Sequence, residues 1–434
     1  MEIIKLRDEY IKLGQALKAC GLVESGVDAK IAIQNGLVKV NGEVELQRGK
    51  KLYDGDLVDF QGEEIKIVKK GAFMIVESLS LKNYRNYENL NLNFSDGTNI
   101  FYGNNAQGKT NILEAVYMSG TTKSHRTSKD LELIRFTEEE SHISTMVRKN
   151  GISHKIDIHL KNNKSKGVAI DGIPIKKASE LFGMINFVFF SPEDLNIIKN
   201  GPSEKRRFMD IELCQLNKIY LSDLANYNKI VIQRNKLLKD LFFRKDLTDT
   251  LDIWDFQLCE YGQRIIKMRE AFVERLNEII FNIHYSLSGG KENLKIVYLK
   301  NCEKENLMEQ LKLNREKDLK LKTTSVGPHR DDLGFYFDGM DVRKYGSQGQ
   351  QRCAALSLKL SEIELVKSTT GDTPILLLDD VLSELDKNRQ NYLLNHIHDI
   401  QAMITCTGLD EFVNCRFSID KIFKVTDGTV VSEN

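Results

Sequence analysis

Proline is scarce: there are five in 434 residues, none before Pro174 and none between Pro202 and Pro328. A Pro-free stretch of that length excludes a proline-rich linker there and leaves helices uninterrupted. Net charge is also missing, with 62 Lys and Arg against 62 Asp and Glu, and the balance is even on both sides of Phe73. Neither part is globally polycationic, so nucleic-acid binding has to rest on a local basic patch. No apolar run approaches the ~18 residues of a membrane span, and the start, Met1-Glu2-Ile3-Ile4-Lys5, has no signal-peptide core. The seven Cys include no C-x-x-C pair, which excludes a zinc ribbon and, the number being odd, reads as reduced thiols. A cytoplasmic protein with no membrane partner is expected. Hydrophobic content of 41% with 29% charged residues excludes disorder, and the length sets a prior of roughly three domains.

Helical spacing fills the Pro-free stretch from Arg206 to Ile283. Leu237, Leu238, Leu241 and Phe242 come first, then Ile265, Met268, Phe272, Leu276 and Ile279 at steps of three and four on one stripe. The run is short for a coiled-coil arm and predicts the core face of a helical lobe. Composition shifts at Lys69-Lys70-Gly71-Ala72-Phe73, a joint between two parts. Met74-Ile75-Val76 opens an alternating strand that ends at a turn near Lys82-Asn83, and the sequence from Met74 on reads as a complete protein.

Before the joint, helices are predicted over Leu13 to Gly21 and Val27 to Gln34. Strands follow on either side of Asn41-Gly42, the strongest short hairpin signal, and Leu57-Val58-Asp59-Phe60 is a further strand. This order, over residues 13 to 60, resembles the RNA-binding module of ribosomal small-subunit protein four (S-four-like). The resemblance implies backbone-phosphate contacts from Lys30, Lys39, Arg48, Lys50 and Lys51. The family's basic residue after the helix-initiating Ser is replaced here, since Ser25 is followed by Gly26. A protein-docking role for the module stays open beside RNA binding.

After the joint, Gly103-Asn104-Asn105-Ala106-Gln107-Gly108-Lys109-Thr110 fits the pattern G-x-x-x-x-G-K-T. Glycines let backbone N–H groups close around phosphate oxygens, Lys109 supplies a point charge, and the Thr110 hydroxyl can ligate Mg²⁺. Thr98 to Tyr102 reads as the strand before this loop. Asn111 to Tyr117 reads as the helix after it, with Asn111 in the first turn at the phosphates. Ile375-Leu376-Leu377-Leu378-Asp379-Asp380 reads as a strand buried on both faces that delivers two carboxylates to a sheet edge. Asp379 is expected to hold Mg²⁺ and Asp380 to position or deprotonate the attacking water. About 270 residues separate Lys109 from Asp379, yet both must reach one ion. The nucleotide fold is therefore α/β and split around an inserted helical lobe, an architecture that resembles ABC-type ATPase heads.

Tyr345-Gly346-Ser347-Gln348-Gly349-Gln350-Gln351-Arg352 opens an amphipathic helix through Leu356, Leu360, Ile363 and Val366. It resembles the ABC signature motif, in which Ser347 and Gly349, with Gln350 beside them, would read the γ-phosphate held by a second copy. ATP would then be sandwiched in a homodimer. Ser383-Glu384-Leu385-Asp386 resembles the loop lying across that interface.

Residues 74 to 434 resemble the RecF family of bacterial recombination mediators, relatives of SMC-type ATPases. The match rests on Leu81-Lys82-Asn83-Tyr84-Arg85-Asn86-Tyr87, the phosphate loop, Lys123-Ser124-His125-Arg126-Thr127 and Phe190-Ser191-Pro192-Glu193-Asp194-Leu195. It also rests on Gly327-Pro328-His329-Arg330-Asp331-Asp332, the Ser347 segment and Leu377 to Asp386. The resemblance implies an ATP-dependent dimer on single- and double-stranded DNA at gaps or junctions. Such a dimer helps load recombinase with RecO and RecR, has a role in the SOS response, and is reset by weak, DNA-dependent ATP hydrolysis. The usual Gln-loop residue is absent, with Ser191 its stand-in. The usual switch His is absent too, with Thr405 or Thr407 in its place, and Asp380 stands where Glu is commoner.

Arg85 and His125 are expected at the nucleotide, and Lys123, Arg126, Lys129, Lys205, Arg206 and Arg207 are candidate DNA-phosphate contacts. The eight His show no metal-ligand spacing; His396 and His398 alternate, as on a strand face or plain surface. The expected division is 1–68 S-four-like, 69–73 linker, 74–203 and 326–434 ATPase head, and 204–325 helical lobe. Two other readings compete: a transporter ATPase subunit, which would need a membrane partner and a switch His, and an RNA- or ribosome-associated ATPase targeted by the first domain.

Overall fold

A computed structural model describes residues 2–6, 10–23, 25–53, 55–69, 74–127, 129–177, 180–241, 245–397, 400–409 and 419–433. Phe242, His398 and the joint at 70–73 fall outside them. The chain divides into two compact units, Met1–Phe73 and Met74–Asn434.

In the first unit, Asn41 and Gly42 both take left-handed backbone angles, φ 53° and 86°, as a two-residue type I′ turn requires. They join the antiparallel strands Val38–Val40 and Glu43–Val44. Asn41 Oδ1 accepts from Leu57 N–H at 2.9 Å and its Nδ2 donates to Asp56 Oδ1 at 2.8 Å, which ties the turn to the strand Leu57–Phe60. Ser25 starts the helix Gly26–Gln34: its Oγ accepts from the Val27 and Asp28 N–H groups at 3.2 Å, and Asp28 accepts from Ser25 N–H at 2.9 Å. This capping satisfies amides that would otherwise lack partners. With the helix Leu13–Ala19 it packs on a five-stranded sheet through Leu13, Leu17, Ile33, Val38, Val58 and Ile65. Two of that sheet's strands, Glu2–Leu6 and Glu63–Lys69, pair in parallel; they flank the segment 13–60 that carries the resemblance and fall, Lys69 apart, within the division 1–68. Lys69, assigned to the linker, ends the second of them. Gly26 has a packing reason: a Cβ there would stand 2.9 Å from Arg48 Nη2, and one at Gly14 would stand 2.8 Å from Arg48 Cγ. Arg48 thus brings its guanidinium beside Gly26.

In the second unit, Ile375–Asp379 is fully paired in parallel, with Phe187–Phe190 on one side and Ala402–Cys406 on the other. That is why Ile375 to Leu378 can all be apolar and fully buried. Thr98–Tyr102, Lys421–Thr426 and Thr429–Glu433 complete this six-stranded sheet in that order. A second six-stranded sheet is antiparallel and includes Ile75–Tyr84, Tyr87–Asn93, Glu140–Lys149 and Ile152–Lys161. Its first strand runs through the expected turn at Lys82-Asn83 and ends one residue beyond it; Tyr84 pairs with Tyr87, and the turn is Arg85-Asn86. The helix Lys109–Thr121 joins both sheets in one core, where Ile112, Leu113, Val116 and Met118 meet Leu79, Leu81 and Val147 as well as Phe101, Leu377 and Phe423. Gly120 permits the approach, since a Cβ there would lie 2.5 Å from the Phe187 ring.

The Pro-free stretch forms helices Pro202–Leu216, Lys218–Asp240 and Leu251–Leu287. The last has 37 residues and so is about 55 Å long, longer than the apolar spacing suggested. Its predicted stripe faces the lobe core: Ile265, Phe272 and Leu276 are buried, and Met268 and Ile279 pack against the core. Each fully buried side chain of this kind stabilises by about 1.5–3 kcal/mol. Strand Leu294–Leu299 pairs with Asp332–Phe337, so the lobe's small sheet spans position 325.

Two buried arginines hold the lobe. Arg234, 0% exposed, donates Nε to Asp255 and Nη1 to Asp318, both at 2.7 Å, and Nη1 also to Thr324 Oγ1 at 3.1 Å. Arg269 donates to Asp210 at 2.8 Å, to the Pro328 carbonyl at 2.7 Å and to Asp331 at 3.2 Å. The segment Gly327 to Asp332 is therefore built into the lobe, with His329 Nδ1 on Tyr227 OH at 2.7 Å. Burial holds the His329 imidazole down to about 4. Lys205 and Arg206 belong to the same packing. Lys205 Nζ donates to Leu333 O at 2.6 Å, is 3.5 Å from Asp332 and is 4% exposed, while Arg206 donates to Asp331 O at 2.7 Å. Burial corrects the expected role of Lys205 as a DNA-phosphate contact to support of the fold, whereas Arg206 stays partly exposed.

The helix Gln348–Thr370 is not amphipathic in the expected sense. Leu356, Leu360, Ile363 and Val366 face the parallel sheet's core, while Ala354, Ala355, Leu358 and Leu365 face the lobe's core. His396 ends the helix Lys387–His396 and does not lie on a strand.

Candidate functional site

Strands Thr98–Tyr102, Ile375–Asp379 and Ala402–Cys406 are parallel and end at one edge of the sheet, where open α/β sheets place their ligands. The phosphate loop starts there. Gly103 has φ 153°, and a Cβ on it would fall 2.3 Å from the Val425 carbonyl oxygen. Gly108, φ 111°, begins the helix Lys109–Thr121, and its Cβ would fall 2.5 Å from Asn86 Nδ2. Only glycine fits at either end. Between them Ala106 takes φ 65°, and Asn104, Asn105 and Ala106 are exposed. The loop thus turns on two obligatory glycines and leaves its backbone open to solvent.

Lys109 is 4% exposed, and its Nζ donates to the carbonyls of Gly103 at 2.5 Å and Asn104 at 3.2 Å. Thr110 Oγ1 donates to Asp379 Oδ1 at 2.8 Å, although 269 positions separate them. Thr405 Oγ1 donates to the same oxygen at 2.8 Å and accepts from Asp380 N–H at 2.9 Å. Burial pushes the Asp379 carboxyl above the usual range, against the two hydroxyl bonds that lower it, and the nearby Asp380 charge adds to the rise. A buried carboxylate beside a hydroxyl is an oxygen donor set suited to Mg²⁺, so Thr110 and Asp379 fit that ion. Asp380 itself stands in left-handed backbone, φ 52°, and its carbonyl accepts from Ser383 Oγ at 2.8 Å.

The Arg85-Asn86 turn braces the loop from behind. Asn86 Nδ2 donates to Gln107 O at 3.0 Å, Asn86 Oδ1 accepts from Asn111 Nδ2 at 2.8 Å, and Tyr87 OH donates to Gly108 O at 3.0 Å. The Asp427 amide donates to Gln107 Oε1 from the other side. Arg85 was expected at the nucleotide. Its guanidinium grips Glu114 on the loop helix at 2.8 and 2.9 Å and donates to Glu132 O at 2.8 Å. Glu114 is fully buried; burial would raise its carboxyl, but the bonds from Arg85 and Ser124 hold it below the ordinary value. Arg85 thus ties the turn to the loop helix. His125 lies against Phe189 at 3.9 Å between ring centroids, and burial lowers its imidazole to about 4. Arg126 donates to Asn111 Oδ1 at 3.0 Å, Arg207 donates to His125 O at 2.9 Å, and Lys129 pairs with Glu132 at 3.8 Å. The sequence marks Asn86 and Tyr87 only as part of a matched segment and gives Glu114 no role, because what each does depends on which strand turn lies beneath the loop.

Of the two proposed replacements for the switch His, Thr405 is the one bonded to both acidic positions. Ser191 follows Phe187–Phe190, the strand next to Ile375–Asp379, so it belongs to the same sheet edge; its N–H donates to Asp194 at 2.6 Å.

Ser347 caps the helix Gln348–Thr370. Its Oγ accepts from Gln350 N–H at 3.2 Å, and Gln350 Oε1 accepts from Ser347 N–H at 2.8 Å. Gln350 Nε2 donates to Glu292 at 2.7 Å, and Arg352 lies 3.7 Å from Glu384. Ser347, Gln348 and Gly349 are exposed. Gly349 has no conformational or packing need for glycine, because its φ is not positive and the nearest atom to an added Cβ is Ser347 Oγ at 4.0 Å. Among the described residues, no hydrogen bond joins 347–350 to 103–111.

Residues 75–430 match the family described as RecF/RecN/SMC N terminal domain, and residues 4–68 match the S4 domain. "DNA replication and repair protein RecF" of Lachnospira eligens is 64% identical over 363 residues, covering 83% of this chain and 100% of that protein. The Agathobacter rectalis protein of the same name is 63% identical over 357 residues, covering 82% and 99%. The solved structure "recombination mediator protein RecF-ATP in RecFOR pathway" superposes with a TM-score of 0.79 at 39% identity, covering 84% of this chain and 99% of that one.

Proposed function

The chain belongs to the RecF family of DNA replication and repair proteins, with an S4 domain in front, and from that premise we propose that it is an ATP-gated homodimer acting at DNA gaps and junctions. It binds single- and double-stranded DNA and works with RecO- and RecR-like mediators to load recombinase in the cytoplasm. No described helix is long and apolar enough to cross a membrane. Residues Gly103 to Asn111 wrap the triphosphate with backbone N–H groups, and Lys109 moves its ammonium from the loop carbonyls onto phosphate oxygen. Thr110 and Asp379 hold Mg²⁺, which when bound draws charge from the phosphate oxygens. Asp380 orients the attacking water, and Ser347, Gly349 and Gln350 complete the site from the second copy.

Gly349 carries this reading. Nothing in its own chain requires glycine there, yet it sits exposed in the first turn of a capped 23-residue helix, where close approach of an external anion is favoured. Sedimentation with a non-hydrolysable ATP analogue and Mg²⁺ is expected to show dimers, and without nucleotide, monomers. Ser347→Arg should keep nucleotide affinity in the monomer and abolish the dimer; a dimer that persists in this variant refutes the sandwich. Lys109→Ala should weaken ATP binding about 10–100-fold, the effect of one lost charge-assisted contact of about 1.5–3 kcal/mol, measured by nucleotide titration.

The S4 match supports a second, narrower reading in which the first unit contacts RNA. Lys30 and Lys39 are exposed, whereas Lys50 pairs with Glu45 at 3.5 Å and Lys51 lies over the Tyr10 ring at 4.0 Å. Structured RNA should then compete with gapped DNA for the full chain but not for residues 74–434.

A further inference from the structure

The antiparallel sheet carries a second constellation, outside the nucleotide site. His142 on Glu140–Lys149 stands directly opposite His159 on Ile152–Lys161. Their rings stack with centroids 4.1 Å apart at 14°. Glu140 precedes His142 by two residues and so shares its face. One of its carboxylate oxygens is 3.1 Å from His159 Nε2, and the other is 3.9 Å from His142 Nε2. One ligand atom from each of the three lies within 4.8 Å of the others. A tetrahedral cation with bonds of about 2.0–2.1 Å needs donors roughly 3.3 Å apart, so rotation of these side chains closes the set without moving the strands.

The surroundings are defined by register. The neighbour of His159 on its other side is Gly167, which leaves that flank without a side chain. The neighbour of His142 on its other side is Lys82. Lys161, opposite Glu140, donates Nζ to Glu140 at 3.2 Å and so competes with any cation for that carboxylate.

We propose that Glu140, His142 and His159 bind one divalent transition-metal cation of the zinc class. Two imidazoles and one carboxylate suit zinc, nickel, cobalt or copper, whereas Mg²⁺ prefers the all-oxygen set at Thr110 and Asp379. The three side chains are 42–47% exposed, so water fills the remaining positions and the ion exchanges readily.

The test is zinc titration of the full chain, compared with His142→Ala/His159→Ala in the same buffer. The wild type should bind one more zinc per chain than the double variant, and its unfolding midpoint alone should rise with zinc. Without metal the two midpoints should agree, since both rings are at the surface. Either single His→Ala change should weaken this site at least about tenfold, and Lys161→Ala, by freeing Glu140, should tighten it. Equal zinc stoichiometry in wild type and double variant, or affinity unchanged or weakened in Lys161→Ala, would overturn the assignment.

Discussion

Asp380→Asn is expected to slow ATP hydrolysis about 10²–10⁴-fold, the usual contribution of a positioned general base, and to leave ATP affinity within about twofold. Backbone geometry makes this a clean substitution. Asp380 sits at φ 52°, where Asn is as well tolerated as Asp, and the bonds of its N–H to Thr405 and its carbonyl to Ser383 involve main-chain atoms that the change leaves in place. The amide cannot accept the water's proton. Phosphate release in a single turnover, read beside nucleotide titration, separates the two quantities, and the variant dimer should persist on DNA after ATP is added. Unchanged turnover would remove Asp380 from the chemistry. The same backbone angle supplies a reason for Asp where related ATPases carry Glu, since a longer side chain is less at ease in left-handed backbone.

Arg234→Met should destabilise the second unit by roughly 3–5 kcal/mol, because it strips the shared cation from two buried carboxylates while keeping the volume. Asp255 and Asp318 are both 0% exposed. Asp255 retains Arg315 at 2.6 Å and Asp318 retains the Ser325 N–H at 2.9 Å, which sets the loss near the lower end of that range. Denaturant midpoints measure it, and adding Asp318→Asn to the variant should recover part of the loss. A change below about 1 kcal/mol would mean that Arg315 and Ser325 suffice without Arg234.

What could be read from sequence divides by how local its cause is. The phosphate loop was legible because its glycines, Lys109 and Thr110 are contiguous and each has a separate physical task. Asp379 was legible because four apolar residues before it announce a strand buried on both faces. Thr405 was only one of two options, since the choice depends on the register of Ala402–Cys406 against Ile375–Asp379, which pairs Asp379 with Thr405. Lys205 was misread because nothing near it in sequence reveals that the Leu333 carbonyl waits 128 positions away. The pairing of His142 with His159 was invisible for the same reason: a hairpin's register, not a spacing rule, makes them neighbours.

The helix beginning at Ser347 is clasped along its length between two cores, so it behaves as a strut. Its 23 residues extend about 35 Å, and any bend would open a gap against one core or crowd the other. A displacement of its solvent-facing tip is therefore handed on intact to the far end and to the lobe packed along it. The lobe and the sheet must feel an event at Gly349 together, as parts of one lever.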